Sequence, residues 1–511
     1  MSTKLFKNVG IIMGCSIVAK ILSYVLEAIL AAFLGATDQA DALFMTTSIF
    51  GILYPILDLG IWKVFLPVYK TKLVENNESK AEQIANTAVT LFLMLSVALV
   101  LFLLVFARPL VALMAPGYAP EKKAITIEFL RISAPTYLLM ATASVVGAML
   151  QSREKFLGSQ IREIGTHASK IIFILICYRF WGIYAAVVSM IIGSVFRLLI
   201  QLPFVNWKWN FKLNFNFRDN DIVSMIKGLP SVAVTAAITH INGMVDKIVA
   251  SGAASGAVSC LNYGHKLMNV FSGMISTAIA TAVYPTIIQY IAEKDEKRLR
   301  GLLENVLSAL MFLIIPISFF CFLFSDELVA AAFQRGAFDA SATSMTASVF
   351  VGYSLGMLFI GVSTVITNVF YGYGDTRITM RISMLNIALN IVFDLIFVKF
   401  WGVAGLAFAT SISAIICLMV RVVLLRKYVK LGYRIIAREG VKIIAIAFGA
   451  CIVPFLLLNK LIRLNLYLSL VVSAIISVSI YLSLAVLLHI KTLDYVWSLV
   501  SKRFGLKKTA K

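Results

Sequence analysis

The chain is short of charge. Only 14% of its 511 residues are Asp, Glu, Lys or Arg, against about 25% in an ordinary soluble domain. No polar stretch exceeds about 25 residues, which leaves no room for a folded aqueous domain. Histidine is scarce, at 4 residues. The six cysteines (Cys15, Cys177, Cys260, Cys321, Cys417 and Cys451) stand singly inside apolar segments. That excludes a CxxC-type metal site or redox pair, and they read as small packing residues. Also missing are GxSxG, Walker A, HExxH and a glycine-rich nucleotide fingerprint. The expectation is a protein that is not an enzyme, has no metal of its own, and draws on an ion gradient, a membrane potential or a substrate gradient.

What the chain has in excess is apolar surface: 60% hydrophobic residues and a mean hydropathy of +0.91. A membrane-crossing helix needs roughly 20 such residues, and lipid leaves open backbone groups no partner, so helices are the expected form. Apolar runs between Gly, Pro and charge clusters predict spans at 9–34, 42–67, 87–107, 125–150, 162–178, 181–203, 222–249, 258–289, 304–324, 342–369, 380–398, 402–425, 441–459 and 466–489,. The fold class is therefore an all-α polytopic membrane protein of about fourteen transmembrane helices. The net charge of +21 does not indicate nucleic acid. The cations sit in alternate connections, from Lys4/Lys7 and Lys70/Lys72/Lys80, through Arg153/Lys155/Arg162 and Lys208/Lys212/Arg218, to Lys294–Arg300, Arg377/Arg381 and Arg426–Arg438. The intervening connections are poor in them. This bias predicts that both termini are cytoplasmic. Lys4 and Lys7 precede an apolar run too long for a signal peptide, so an uncleaved first helix is expected. In the tail 491–511, Leu493, Val496, Trp497, Val500 and Phe504 recur at helical spacing among lysines and arginines. That suits either a helix on the anionic leaflet or simple positive anchoring.

An internal repeat runs through the chain. Arg179-Phe180-Trp181-Gly182 recurs as Lys399-Phe400-Trp401-Gly402, the loop at 151–155 lies opposite 372–376, and 115–118 lies opposite 334–337, at offsets of 220, 221 and 219. Six helices return the chain to the same face, so the repeats are parallel. The predicted organisation is a first lobe at 1–220, a second at 221–440, two added helices within 441–490, and the basic tail. Transporters built from such repeats hold their substrate between the halves.

Ionisable groups at membrane depth cost about 2.5–3.5 kcal/mol each on insertion scales. Lys20 and Glu27 share a face of the first span; Asp58 and Lys63 lie in the second; His240, Asp246 and Lys247 in the seventh; His265 and Lys266 open the eighth. The first two helices of each lobe thus hold most of the deep charge. Two readings stand: a wet cavity whose lysines meet a pyrophosphate or other anion as point charges, or internal pairing, such as Lys20 with Glu27 or Asp58. Lys63 and Lys247, near span ends, read as snorkelling side chains. His240 and His265 read as local hydrogen-bonding groups. Asn386, Asn390 and Asp394, at four-residue steps, form one polar stripe,. It suits either a hard cation or proton relay, or an interhelical hydrogen bond.

Several segments together resemble the MurJ/MviN lipid II flippase family of the multidrug/oligosaccharidyl-lipid/polysaccharide exporter superfamily. They are Leu261-Asn262-Tyr263-Gly264-His265-Lys266-Leu267 with Ser272-Gly273 and Tyr284-Pro285; Phe333-Gln334-Arg335-Gly336-Ala337-Phe338-Asp339; and Phe370 through Arg377, with Ala115-Pro116-Gly117-Tyr118 and Leu66-Pro67. The similarity runs from about residue 8 to 490. It implies two six-helix lobes forming a V, two extra C-terminal helices that make a groove for a lipid tail, and lipid II, an undecaprenyl-pyrophosphate-linked saccharide, as the substrate flipped to the outer leaflet of the bacterial inner membrane by alternating access. Cell-wall synthesis proteins become candidate partners. By motif, the substrate-binding candidates are Lys20, Lys266 and Asp41, with Glu27 and Asp58 from the deep charges. Asp246, Asn390, Asp394 and Thr410 look like that family's sodium site, with Na+ or H+ as coupling ion. The chain departs from the family where arginines are frequent, having Lys20, Leu26, Leu53 and Tyr54. A lysine cannot grip a phosphate bidentately. Two other functions therefore fit the same residues: a flippase for a different polyprenyl-pyrophosphate saccharide, and a cation-coupled small-molecule exporter.

Overall fold

A computed structural model describes residues 3–205, 207, 209–460, 465–490 and 492–493, with side chains over the same residues other than 3–9, 234–240, 242 and 458–460. No strand occurs among the described residues. The helices are α1 (Thr3–Leu34), α2 (Asp38–Gly60), α3 (Leu66–Val74), α4 (Glu78–Met114), α5 (Pro120–Ser133), α6 (Thr136–Ser152), α7 (Phe156–Trp181), α8 (Ile183–Leu199), α9 (Asn220–Ala250), α10 (Ala257–Met268), α11 (Met274–Ala292), α12 (Glu296–Leu323), α13 (Ser325–Phe333), α14 (Ala340–Gly372), α15 (Thr376–Leu425), α16 (Tyr433–Lys460) and α17 (Leu466–Leu487). The expected surface helix in the tail lies outside the described residues, Thr492 and Leu493 apart.

Among the described residues, ten continuous helical stretches are long and apolar enough to cross a bilayer, and the bent pair α5–α6 makes an eleventh. The bend of 42° falls at Ala134-Pro135, where Ala134 stays helical (φ −51°, ψ −41°) but Pro135 has no N–H to give the preceding turn and its ring crowds that turn's carbonyl. Short polar caps start the helices. Thr37, Asn77, Asp295, Asp339 and Asp375 each accept a backbone N–H of the turn they precede, satisfying donors that a helix start leaves open. Two π-turns interrupt the ladder, Ile61–Phe65 after α2 and Asn269–Gly273 after α10. Each follows within a turn of a candidate site residue, Asp58 and Lys266.

The repeat reappears in the backbone. Left-handed φ values pair up along the chain: Gly35 (61°) with Gly256 (81°), Asn76 (56°) with Lys294 (55°), Glu154 (60°) with Gly374 (75°), and Gly182 (53°) with Gly402 (55°). Gly182 and Gly402 share ψ as well, at −134° and −136°. Gly182 divides the expected spans 162–178 and 181–203 into α7 and α8. Gly402 stands as a kink inside α15, which holds both 380–398 and 402–425.

The contacts fall into two compact units. The first comprises Met1–Ser259 with Gly336–Phe338, the second Cys260–Arg335 with Asp339–Lys511. Within the second, α16 and α17 dock on α12 through Phe312, Ile315, Ile443, Ile446, Ala447, Ala450, Tyr481 and Ala485, which form one buried cluster. Tyr481 seals it by donating to the Phe312 carbonyl at 2.8 Å. Ser469, Ser473, Ser477 and Tyr481 recur every four residues on the buried face of α17, and small side chains of this kind let membrane helices approach closely. The opposite face keeps Val471, Ile475 and Val478 exposed, as a lipid-facing helix requires.

Candidate functional site

In the first unit, the second helix brings Asp58 to the centre of a buried polar network. One carboxylate oxygen, Oδ1, accepts from the Tyr54 hydroxyl at 2.8 Å, the Ser144 hydroxyl at 2.5 Å and the Trp62 indole N–H at 3.3 Å. The helical step of four residues from 54 to 58 to 62 places all three side chains on one face. Around it stand two buried guanidiniums. Arg162 of α7 donates to Ser144 at 3.3 Å and lies 4.9 Å from the Trp62 ring centre. Arg197 of α8 donates to Tyr54 at 3.3 Å and pairs with Glu163 at 2.8 Å. Arg162 is also 3.6 Å from Glu163. Two guanidiniums and two carboxylates therefore balance, with hydroxyls relaying between them. Arg197 is only 4% exposed, and its Nε finds no acceptor. A cavity of about 230 Å³ adjoins the network, walled by Thr47, Phe50, Tyr54, Thr166, Lys170 and Ser194.

This network corrects two expectations. By sequence Arg162 counts among the cations of a connection, but α7 begins at Phe156 and buries it. Buried charge is also not confined to the first two helices of the lobe, because α7 and α8 supply Arg162, Glu163 and Arg197. Asp58 bonds to Tyr54, Ser144 and Trp62 in place of Lys20. Lys20 is exposed on α1 and Glu27 is half-buried on the same helix.

Asp41 lies apart from that network. It is 1% exposed and fully engaged by the protein: Oδ2 accepts from Lys122 at 2.6 Å and the Gly256 N–H at 2.9 Å, and Oδ1 from the Ser259 N–H at 2.7 Å and hydroxyl at 2.6 Å. Lys122 bridges on to Asp38 at 2.7 Å and covers the Tyr118 ring. Burial, helped by the carboxylates of Asp41 and Asp38, raises the Tyr118 phenol well above its ordinary pKa. Glycines pack this knot tightly. A Cβ on Gly256 would lie 2.4 Å from the Ala36 carbonyl oxygen, and one on Gly117 would lie 2.3 Å from Gly252 Cα. Lys122 is thus a buried partner.

Lys247 of α9 donates to the Ser48 hydroxyl at 2.6 Å. Asp246 beside it is buried. The side chain of His240 lies outside the described residues.

In the second unit, α15 brings together Asn390, Asp394 and Thr410. Asn390 Nδ2 donates to Asp394 Oδ1 and to Thr410 Oγ1, each at 3.4 Å, the second bond reaching across the Gly402 kink. Asn390 and Asp394 are fully buried, and Asn390 Oδ1 accepts nothing. Asn390 turns its amide nitrogen to Asp394 and Thr410; with the amide turned over, its oxygen joins the carboxylate and the hydroxyl in an all-oxygen donor set, which fits a hard cation. Lys266 is half-buried on α10. Next to it His265 meets Tyr353 edge-on at 5.6 Å, and Gly264 lets α10 close on Val349, where a Cβ would stand 2.8 Å from that side chain.

A family model described as lipid II flippase MurJ matches residues 30–500. The "Probable lipid II flippase MurJ" of Buchnera aphidicola subsp. Baizongia pistaciae is 25% identical over 461 residues, covering 88% of each chain. The protein of that name in Borreliella burgdorferi is 26% identical, covering 89% of this chain and 87% of its own. Among solved structures, a lipid II flippase MurJ in an inward closed conformation superposes with a TM-score of 0.80 at 20% identity, over 94% of this chain and 98% of that one. An inward-facing multidrug resistance MATE transporter of the MOP superfamily follows with 0.67 at 15% identity, over 80% of this chain and 94% of its own.

Proposed function

The chain belongs to the lipid II flippase MurJ family, and from that membership we propose that it carries lipid II across the membrane by alternating access. The observation that carries the reading is the reach of the family match, which takes in both repeats and the two final helices. The protein works as a carrier in a bacterial inner membrane, with both termini cytoplasmic, and makes or breaks no covalent bond. Its helices cross about fourteen times: the ten long stretches, the bent α5–α6 pair, α15 counted twice because 50 residues are far more than one crossing needs, and α7 and α9, which are long but charged. The lobes comprise residues 1–220 and 221–440, followed by the lipid-holding pair at 441–490 and the basic tail 491–511.

Lys20 and Lys266 meet the pyrophosphate as point charges. Glu27 and Asp58 set their field, and Asp41 acts through the knot that holds its helix. Na+ or H+ is the coupling ion. A cation at Asn390, Asp394 and Thr410 supplies electrostatic cohesion there, while the chain's own role is to present the buried oxygens. The Asn390 Oδ1 that accepts nothing favours this over a purely interhelical hydrogen bond.

Complementation tests the reading. Expression in a bacterium depleted of its own lipid II flippase restores growth. Lysis in spite of normal membrane insertion overturns it in favour of another polyprenyl-pyrophosphate saccharide.

A further inference from the structure

Between α8 and α9 the chain alternates strictly over eleven residues: Trp207, Trp209, Phe211, Leu213, Phe215 and Phe217 at odd positions, Lys or Asn at the even ones. Alternation of this kind belongs to an extended segment with one apolar face, yet no second strand is present among the described residues. The segment is strapped along α4 instead. The Asn210 N–H donates to Glu82 at 2.8 Å, its carbonyl accepts from Asn86 at 3.1 Å, and the Asn214 N–H donates to Thr90 at 3.0 Å. Asn86 also receives the Trp209 indole N–H at 2.9 Å. Asp219 then returns to Lys80.

These anchors give the depth. Glu82 is the last charged residue of α4 before Arg108. Thr90 lies eight residues further, about 12 Å along the helix axis. The segment thus dips from the charged start of α4 to its apolar wall and climbs back to Lys80. At the bottom of the dip Phe211, Leu213 and Phe215 are 46, 58 and 61% exposed. Lys212 and Arg218 flank them, exposed, and Trp207 is held between Arg153 at 4.6 Å and Lys155 at 4.9 Å. Among the described residues, the amides of Phe211, Lys212, Leu213 and Phe215 have no protein acceptor. Pure hydrocarbon would penalise them. Phosphate and glycerol oxygens at the membrane interface accept them.

We propose that residues 209–217 form an interfacial strap that seats anionic phospholipid headgroups: aromatic and leucine side chains enter the acyl boundary, the open amides and the Lys212 and Arg218 cations take the phosphate. The proposal rests on α4 spanning the membrane and is independent of what the protein transports.

Photo-crosslinking tests it in native membranes. Benzoylphenylalanine placed at Leu213 or Phe215 gives a phospholipid adduct by mass spectrometry. An adduct to another protein, or none, overturns the strap. In nanodiscs, replacing phosphatidylcholine by phosphatidylglycerol raises the thermal midpoint by several degrees, and Lys212→Glu with Arg218→Glu removes most of that rise. The milder Lys212→Gln/Arg218→Gln pair gives the same loss if the glutamates unfold the protein. An equal midpoint in both lipids overturns the anionic preference. Both readouts leave lipid II transport out, so their failure and that of the flippase reading are distinct.

Discussion

Arg197 is held in place by what surrounds it. A guanidinium this deep stays charged and must be compensated on the spot. Glu163 does this at 2.8 Å, with the Tyr54 hydroxyl as a second acceptor. Removing one partner of such a pair costs about 3–5 kcal/mol, more than removing both. Glu163 keeps part of its side chain in contact with solvent, so Glu163→Gln lands near about 3 kcal/mol. The double variant Glu163→Gln/Arg197→Met loses less than the sum of its singles, as thermal unfolding in detergent will read. Strict additivity would mean that the pair is not coupled. At the second site, sodium raises the thermal midpoint by a few degrees, as a ligand bound only by the folded state must. Asp394→Ala abolishes the response. A sodium response that survives in that variant places the ion elsewhere. The stripe Asn386, Asn390 and Asp394 was legible in the sequence because its spacing is local. Arg162, Glu163 and Arg197 were not: a loop arginine and a buried one look alike until the helix start is known, and the acceptors Tyr54 and Ser144 are far away in the chain.

At the level of elements, Gly182 and Gly402 carry the reversal between consecutive helices. Their shared conformation, φ near 55° with ψ near −135°, is essentially closed to any residue with a Cβ. A Cβ on either meets nothing within 4 Å, so substitution costs backbone strain and no clash. Gly402→Ala and Gly182→Ala should each lower stability by about 1–3 kcal/mol, and by similar amounts, when midpoints are compared. A neutral Gly402→Ala would mean that the kink relaxes freely. The repeated Phe-Trp-Gly tripeptide disclosed these two joints in the sequence. It did not disclose that α15 continues through the second, since a kink and a loop leave the same trace of Gly beside an aromatic. Nor did the alternation at 207–217 announce its partner. The period of two says extended, while the hydrogen bonds go to a helix.

For the whole molecule, fold class and repeat were readable because hydrophobic length and duplicated loops are one-dimensional signals. The deep lysines were readable as outliers in apolar spans. Lys20→Ala and Lys266→Ala should each abolish complementation at normal membrane levels, while Lys63→Ala, exposed near the end of its span, should not. Growth of both cavity variants at the wild-type rate would remove the lysines from the transport path. The balanced quartet of Arg162, Arg197, Asp58 and Glu163 has a further consequence, in electrical work. One elementary charge moved through a potential of 100 mV exchanges about 2.3 kcal/mol with the field. Two positive and two negative charges travelling together exchange none. These four ions therefore give the field nothing to push on, which leaves the membrane potential to act on charges outside the quartet, the carrier's own and any it picks up.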